Sequence, residues 1–193
     1  NALIHDFKHQ LRVLQELACC TPDAATNQAF SKYIDDTLCN LSVSEDFSAI
    51  SCDVLRCILI DSAQQCQNHG IIFKSEIYYS EFDFISYQDI CTIFSNALEN
   101  AIRECQYVRN VNRPAEIHLS IQKMNQIIFI QIVNDKISSV KEIDGKIQTT
   151  KNDSMHHGFG LSNIKQAVEK YNGATEISYS DNKFTLNILF TSS

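Results

Sequence analysis

Three groups of residues have types and spacings that could do chemistry. Asn96 and Asn100 stand four apart among Ala97, Leu98 and Ala101, so on a helix both amides project from one face at the border of a buried surface. Buried amides need partners. An Asn carbonyl is also a hard oxygen suited to Mg2+, an ion that stays bound largely through substrate phosphates. A pair of internally satisfied structural asparagines is the alternative. Gly158-Phe159-Gly160-Leu161-Ser162-Asn163 follows a long polar stretch and opens a helix. Glycines there admit an anion to backbone N–H groups, and the helix N-terminus favours negative charge, although a hinge or a plain helix start reads the same way. His5-Asp6 sets a carboxylate beside an imidazole, which can hold the tautomer and raise nucleophilicity; such neighbours are also commonplace on surfaces. His9 makes an i,i+4 pair with His5, but no third metal ligand accompanies them.

The elements that must position these residues follow from periodicity. Ile4, Phe7, Leu11, Leu14 and Ala18 repeat as a heptad seam. Thr21-Pro22 then reads as an N-cap with proline at the first helical position, and a second helix carries Phe30, Ile34 and Leu41 on one face. Two short helices joined by a tight turn make an antiparallel hairpin over residues 1–45, whose seams a dimeric four-helix bundle would bury. Packing of the hairpin onto its own C-terminal domain is the alternative. Beyond a linker at 42–51, the pattern predicts a helix through Val54, Leu55, Ile58, Leu59 and Cys66, stopped by Gly70. A strand over Ile71–Tyr79 follows, then a helix over Tyr87–Cys105 that carries the asparagines. Strands at Glu116–Gln122 and Ile127–Val133 flank a turn at Lys123-Met124-Asn125-Gln126. A polar stretch from Asn134 to His157 has no clear period and reads as a lid. After the glycines come a helix over Leu161–Tyr171, stopped by Asn172-Gly173, and a hairpin of Ala174–Ser180 with Lys183–Phe190. That order predicts an α/β sandwich over residues 46–193, with a mixed sheet covered on one face by three helices.

Composition narrows the function classes. The 193 residues are 44% hydrophobic and 20% charged, a globular balance. With 16 Lys and Arg against 23 Asp and Glu, the net charge is −7, and no basic cluster could track a phosphate backbone, so direct nucleic-acid binding is not expected. Eight cysteines include no C-x-x-C pair, and several fall on apolar helix faces, so reduced buried thiols are the expectation rather than disulfides or a zinc site. No apolar run approaches the roughly 18–20 residues that span a bilayer. Asn1 begins the sequence without a signal-peptide pattern, which leads us to expect a cytoplasmic fragment with any membrane sensor region upstream.

Taken in order, the motifs resemble the GHKL ATPase superfamily, and within it the AgrC-like histidine kinases of peptide quorum sensing. Ile4-His5-Asp6-Phe7-Lys8-His9-Gln10-Leu11 is similar to that group's phosphoacceptor box. Asn96-Ala97-Leu98-Glu99-Asn100-Ala101 is similar to its N-box, and Thr149–Asp153 through His157-Gly158-Phe159-Gly160-Leu161 to its lid and glycine box. The resemblance implies an ATP-dependent, autophosphorylating protein-histidine kinase of a two-component system, dimeric through the N-terminal hairpin. It would lie on the cytoplasmic side of the bacterial membrane and pass phosphate to an aspartate on a response regulator, often of the LytTR type. It further implies that His5 accepts the phosphoryl group, that Asp6 orients or deprotonates it, and that Gln10 helps place a water. Asn100 would hold Mg2+ and Asn96 would contact phosphates of ATP. Gly158, Gly160 and the Leu161 amide would cradle those phosphates, with Arg103 and Lys151 as charge partners. One departure stands out: where the family carries an aspartate-glycine adenine box, this chain has Ile132-Val133-Asn134-Asp135-Lys136, leaving Asn134 for the adenine side and implying looser nucleotide binding. Two other readings remain: a catalytically weak pseudokinase or dimeric scaffold that docks a regulator, and an ATPase of the chaperone or mismatch-repair kind.

Overall fold

The computed structural model describes residues 47–137, 141–143, 146–148 and 160–191. Chain contacts divide the protein into Asn1–Ala49 and Ile50–Ser193, and the second unit is the one described below. The hairpin expected over 1–45 lies outside the described residues, and with it His5, Asp6 and Gln10; so do Lys151 and Gly158.

The elements run α1 (Asp53–Asn68), β1 (Ile72–Ile77), α2 (Tyr87–Asn110), β2 (Glu116–Met124), β3 (Ile127–Asp135), β4 (Lys141–Ile143), β5 (Lys146–Gln148), α3 (Gly160–Glu169), β6 (Ala174–Tyr179) and β7 (Lys183–Thr191). The main sheet has the order β1-β2-β3-β7-β6. Only β1 and β2 are parallel; the other pairs are antiparallel, so the sheet is mixed as expected. The three helices lie side by side on it, α1 over β1, α2 over β2 and β3, and α3 over β6.

Alternation on the central strand decides which side is core. Ile128, Ile130, Ile132 and Asn134 of β3 are buried beneath the helices, and each fully buried isoleucine contributes about 1.5–3 kcal/mol. The opposite face mixes apolar residues such as Phe129, Val133 and Leu189 with a polar row at its middle. Ser120, Gln131, Asn187 and Glu176 form one row across four strands, linked by Gln131 Nε2 to Asn187 Oδ1 at 2.9 Å and Asn187 Nδ2 to Glu176 at 3.3 Å.

The structure corrects several boundaries. Helix α2 continues to Asn110 instead of ending at Cys105, because the apolar stripe goes on through Val108, three residues further and fully buried. The turn after β2 shrinks to Asn125-Gln126, with Met124 paired to Ile127 and Asn125 taking φ 55°. The polar stretch expected as irregular contains the short antiparallel pair β4–β5. All three helices end in the same Schellman geometry. Gly70 N donates to Gln67 O and Ile71 N to Cys66 O; Asn112 N to Arg109 O and Arg113 N to Val108 O; Asn172 N to Glu169 O and Gly173 N to Val168 O. The left-handed position is Gly70 in the first and asparagine in the others. Gly173 is therefore required for space rather than conformation: a Cβ there would lie 2.6 Å from Val168 Cγ1 and 2.8 Å from Leu189 O.

Candidate functional site

Helix α2 owes its start to Ser86, whose hydroxyl accepts from Asp89 N at 3.2 Å, the hydrogen bond that makes serine a good N-cap. From there one side of the helix faces the sheet and α1 through Ile90, Phe94, Ala97, Leu98, Ala101 and Cys105. Asn96, Asn100 and Arg103 fall at the edge of that surface and are half-buried.

The structure brings three of the expected residues together. A Cβ built on Gly160, the first residue of α3, would lie 3.2 Å from Asn100 Nδ2 and 3.4 Å from Asn96 Oδ1. Glycine thus lets the N-terminus of α3 close directly onto the asparagine pair. Neither amide floats free: Asn96 Nδ2 donates to Thr92 O at 2.7 Å, and Asn100 Oδ1 accepts from the Arg103 guanidinium. Asn96 anchors through its nitrogen, so its Oδ1 is turned toward Gly160. Asn100 Oδ1 has two lone pairs and uses one on Arg103. Two amide oxygens, a guanidinium and the positive end of a helix dipole converge here, and this donor set suits a phosphate chain carrying a hard cation. Leu161 follows Gly160 in the first turn of α3, half-buried.

Asn134 lies apart from this cluster, on the helix-facing side of β3 and 2% exposed. Its Nδ2 donates to Asp135 O at 2.9 Å, and the Cys105 thiol reaches the same carbonyl at 3.6 Å. Cys105 comes five residues after Asn100, about 7.5 Å along the helix, so α2 spans from the asparagine pair to the end of β3. The neighbouring carboxylate does not share this side of the strand. Asp135 points to the other face, where it accepts from Glu116 N at 2.8 Å and pairs with Lys183 at 3.0 Å. Lys136, which follows, is 3% exposed and donates to Asp181 O at 3.3 Å.

One cluster escaped sequence reasoning. Asp89, only 7% exposed, accepts from Ser86 Oγ at 2.9 Å, Lys170 Nζ at 2.7 Å and Tyr171 OH at 2.7 Å. The Tyr171 oxygen also accepts from Ser86 N at 3.0 Å. The Lys170 and Tyr171 hydrogen bonds hold the Asp89 carboxyl down to about 2. Ser86-x-x-Asp89 is a capping-box spacing and was the available signal for half of it; Lys170 and Tyr171, over eighty residues on, gave none.

A family model described as the GHKL domain matches residues 85–191. Among solved structures, the nucleotide-free catalytic domain of the histidine kinase ThkA aligns at TM-score 0.55 and 14% identity, over 72% of this chain and 90% of that one. The Acinetobacter baumannii histidine kinase AdeS aligns at TM-score 0.52 and 10% identity, over 96% of each chain. Full-length ShkA in complex with AMPPNP aligns at TM-score 0.53 and 14% identity over all of this chain, which spans 45% of that structure. At these identities the likeness establishes the fold. No curated protein sequence matches the chain.

Proposed function

Because this chain belongs to the GHKL domain family over residues 85–191, we propose that it is the cytoplasmic part of an ATP-dependent sensor histidine kinase of the AgrC-like group. In this reading residues 1–45 form the dimerising phosphoacceptor hairpin and 46–193 the nucleotide-binding domain. The observation that carries it is the closure of Gly160 onto Asn96 Oδ1 and Asn100 Nδ2. A glycine without a Cβ at a helix N-terminus, against two amides on one face of another helix, brings together polar groups of the kind a polyphosphate needs.

Bound ATP with Mg2+ supplies a γ-phosphoryl group whose transfer requires mainly positioning and charge stabilisation. Asn100 Oδ1 would hold the metal and Asn96 the adjacent phosphates, while Gly158, Gly160 and the Leu161 amide cradle the chain. Arg103 already lies against Asn100, and with Lys151 would offset phosphate charge. Asn134 would take the base side. His5 would accept the phosphoryl group on a ring nitrogen while Asp6 orients the imidazole or takes its proton, and Gln10 would set a water for dephosphorylating the partner. That partner would be a response regulator, of LytTR type by family habit, with the chain anchored to the membrane through an upstream sensor region.

Incubation with γ-labelled ATP and Mg2+ tests this directly. Acid-labile label on the parent and none on His5→Gln is the expected result. ATP hydrolysis without label on His5 would favour the ATPase reading. A second reading, a regulator-docking scaffold with weak catalysis, draws on one observation: Asn134 has no carboxylate, and that of Asp135 is committed to Glu116 and Lys183. Neither labelling nor hydrolysis would select it.

A further inference from the structure

Helix α3 is held against α2 at two places. At its start, Gly160 meets Asn96 and Asn100. Just past its end, Lys170 and Tyr171 meet Asp89 and Ser86. Gly160 to Lys170 is ten residues, about 15 Å of helix. Asp89 to the middle of the asparagine pair is nine residues, about 13.5 Å. The matched spans make the two helices antiparallel and leave α3 pinned at both ends. The near end is a contact between a glycine and two amides, with little of its own to hold it. The far end is a buried carboxylate receiving three side-chain hydrogen bonds, two of them from residues attached to α3.

We propose that Ser86, Asp89, Lys170 and Tyr171 form a tether that sets the position of the α3 N-terminus, and so act as positioning residues for the phosphate side of the nucleotide site. The inference rests on the nucleotide-binding reading above. A hydrogen-bonded carboxylate fixes distance and direction together, whereas the apolar contacts of Ile164, Ala167 and Val168 tolerate sliding. Loosening the far end lets α3 shift along α2 and carries Gly160 with it. The charge pair also closes the loop between the two ends of the site's framework: Asp89 belongs to the cap that starts α2, and α2 carries both asparagines.

The test uses the 193-residue chain with Tyr171→Phe and Lys170→Met, and Lys170→Arg as the conservative control. Site-resolved amide hydrogen exchange without nucleotide reads the tether, and titration with a fluorescent ATP analogue reads its consequence. Urea unfolding confirms that each variant is still almost wholly folded, since a folded majority loses no affinity through instability alone. The expected result is faster exchange at the hydrogen-bonded amides of α3 from Ile164 onward but not in α1, a roughly tenfold weaker affinity, and recovery in Lys170→Arg. Unchanged exchange in α3 overturns the tether. Faster exchange with unchanged affinity overturns its link to the site. A parent chain that binds no ATP analogue overturns the nucleotide reading and this inference with it, whatever the exchange shows.

Discussion

Replacing Gly160 with alanine separates function from stability, and the structure gives the sizes. The new Cβ would sit 3.2 Å from Asn100 Nδ2 and 3.4 Å from Asn96 Oδ1, so each neighbour must retreat by a few tenths of an ångström. Neither can do so freely, because Asn96 is tied to Thr92 O and Asn100 to Arg103. Crowding of this mild kind falls near the lower end of overpacking costs, about 1 kcal/mol. Against it, alanine gains about 0.5 kcal/mol at most over glycine, since Gly160 opens the helix and the full gain belongs to helix interiors. The two partly offset, and stability from urea unfolding should fall by less than about 1 kcal/mol. Nucleotide binding has no such compensation. Mg2+ demands near-ideal geometry at about 2.0–2.1 Å, and a methyl group on Gly160 would displace the Asn100 amide proposed to hold it. Affinity for Mg-ATP should fall at least tenfold, equivalent to about 1.4 kcal/mol. Gly173→Ala is the control with the opposite signature. Its Cβ would meet Val168 Cγ1 at 2.6 Å and both Leu189 O and Phe190 Cδ1 at 2.8 Å, costing about 1–3 kcal/mol of stability with little direct effect on Asn96 and Asn100. Equilibrium unfolding paired with nucleotide titration for both variants decides the matter. A Gly160→Ala protein that binds Mg-ATP as tightly as the parent would refute the proposed placement of phosphate beside Gly160 and the asparagine pair.

Two further outcomes follow from the titratable groups. Asp89 has its folded pKa lowered from 3.8 to about 2 by Lys170 and Tyr171, so its contribution to stability is complete above about pH 4 and is lost as pH falls through about 2. Urea unfolding across that window should show Asp89→Asn with a flatter acid limb than the parent. Burial pushes the Cys66 and Cys105 thiols up to about 12, whereas Cys57 and Cys91 are exposed. Since the thiolate is the reactive form, alkylation at pH 8 followed by peptide mass mapping should label Cys57 and Cys91 quickly, and Cys66 and Cys105 only after denaturation.

The sequence by itself determined the elements and the chemistry they could carry. Periodicity placed α1, α2 and the four sheet strands from β2 onward because apolar faces repeat at 3.6 or 2 residues regardless of what they pack on. The i,i+4 spacing of Asn96 and Asn100 already set both amides on one side of a helix. The apolar helix faces also raised the expectation that several cysteines would be buried, which holds for Cys66 and Cys105, while Cys57 and Cys91 fall off those faces and are exposed. Their exposure depends on where each helix's covered arc ends, a property of neighbouring elements. The same limit explains the end of α2, where Val108 is buried only because the fold covers it.

Tertiary structure alone decided how distant segments meet. Gly160 and Asn100 are sixty residues apart, and only the antiparallel packing of α3 on α2 brings a weak glycine pattern and a common asparagine pair into contact. Strand alternation settled the roles of two adjacent residues that sequence could not separate: Asn134 faces the helices, while Asp135 turns to the other side and is tied to Glu116 and Lys183. The Asp89 tether was beyond reach for the same reason. A hydrogen bond leaves a local trace only when its partners are local, as for Ser86 and Asp89; the bonds from Lys170 and Tyr171 exist because α3 packs antiparallel along the first part of α2.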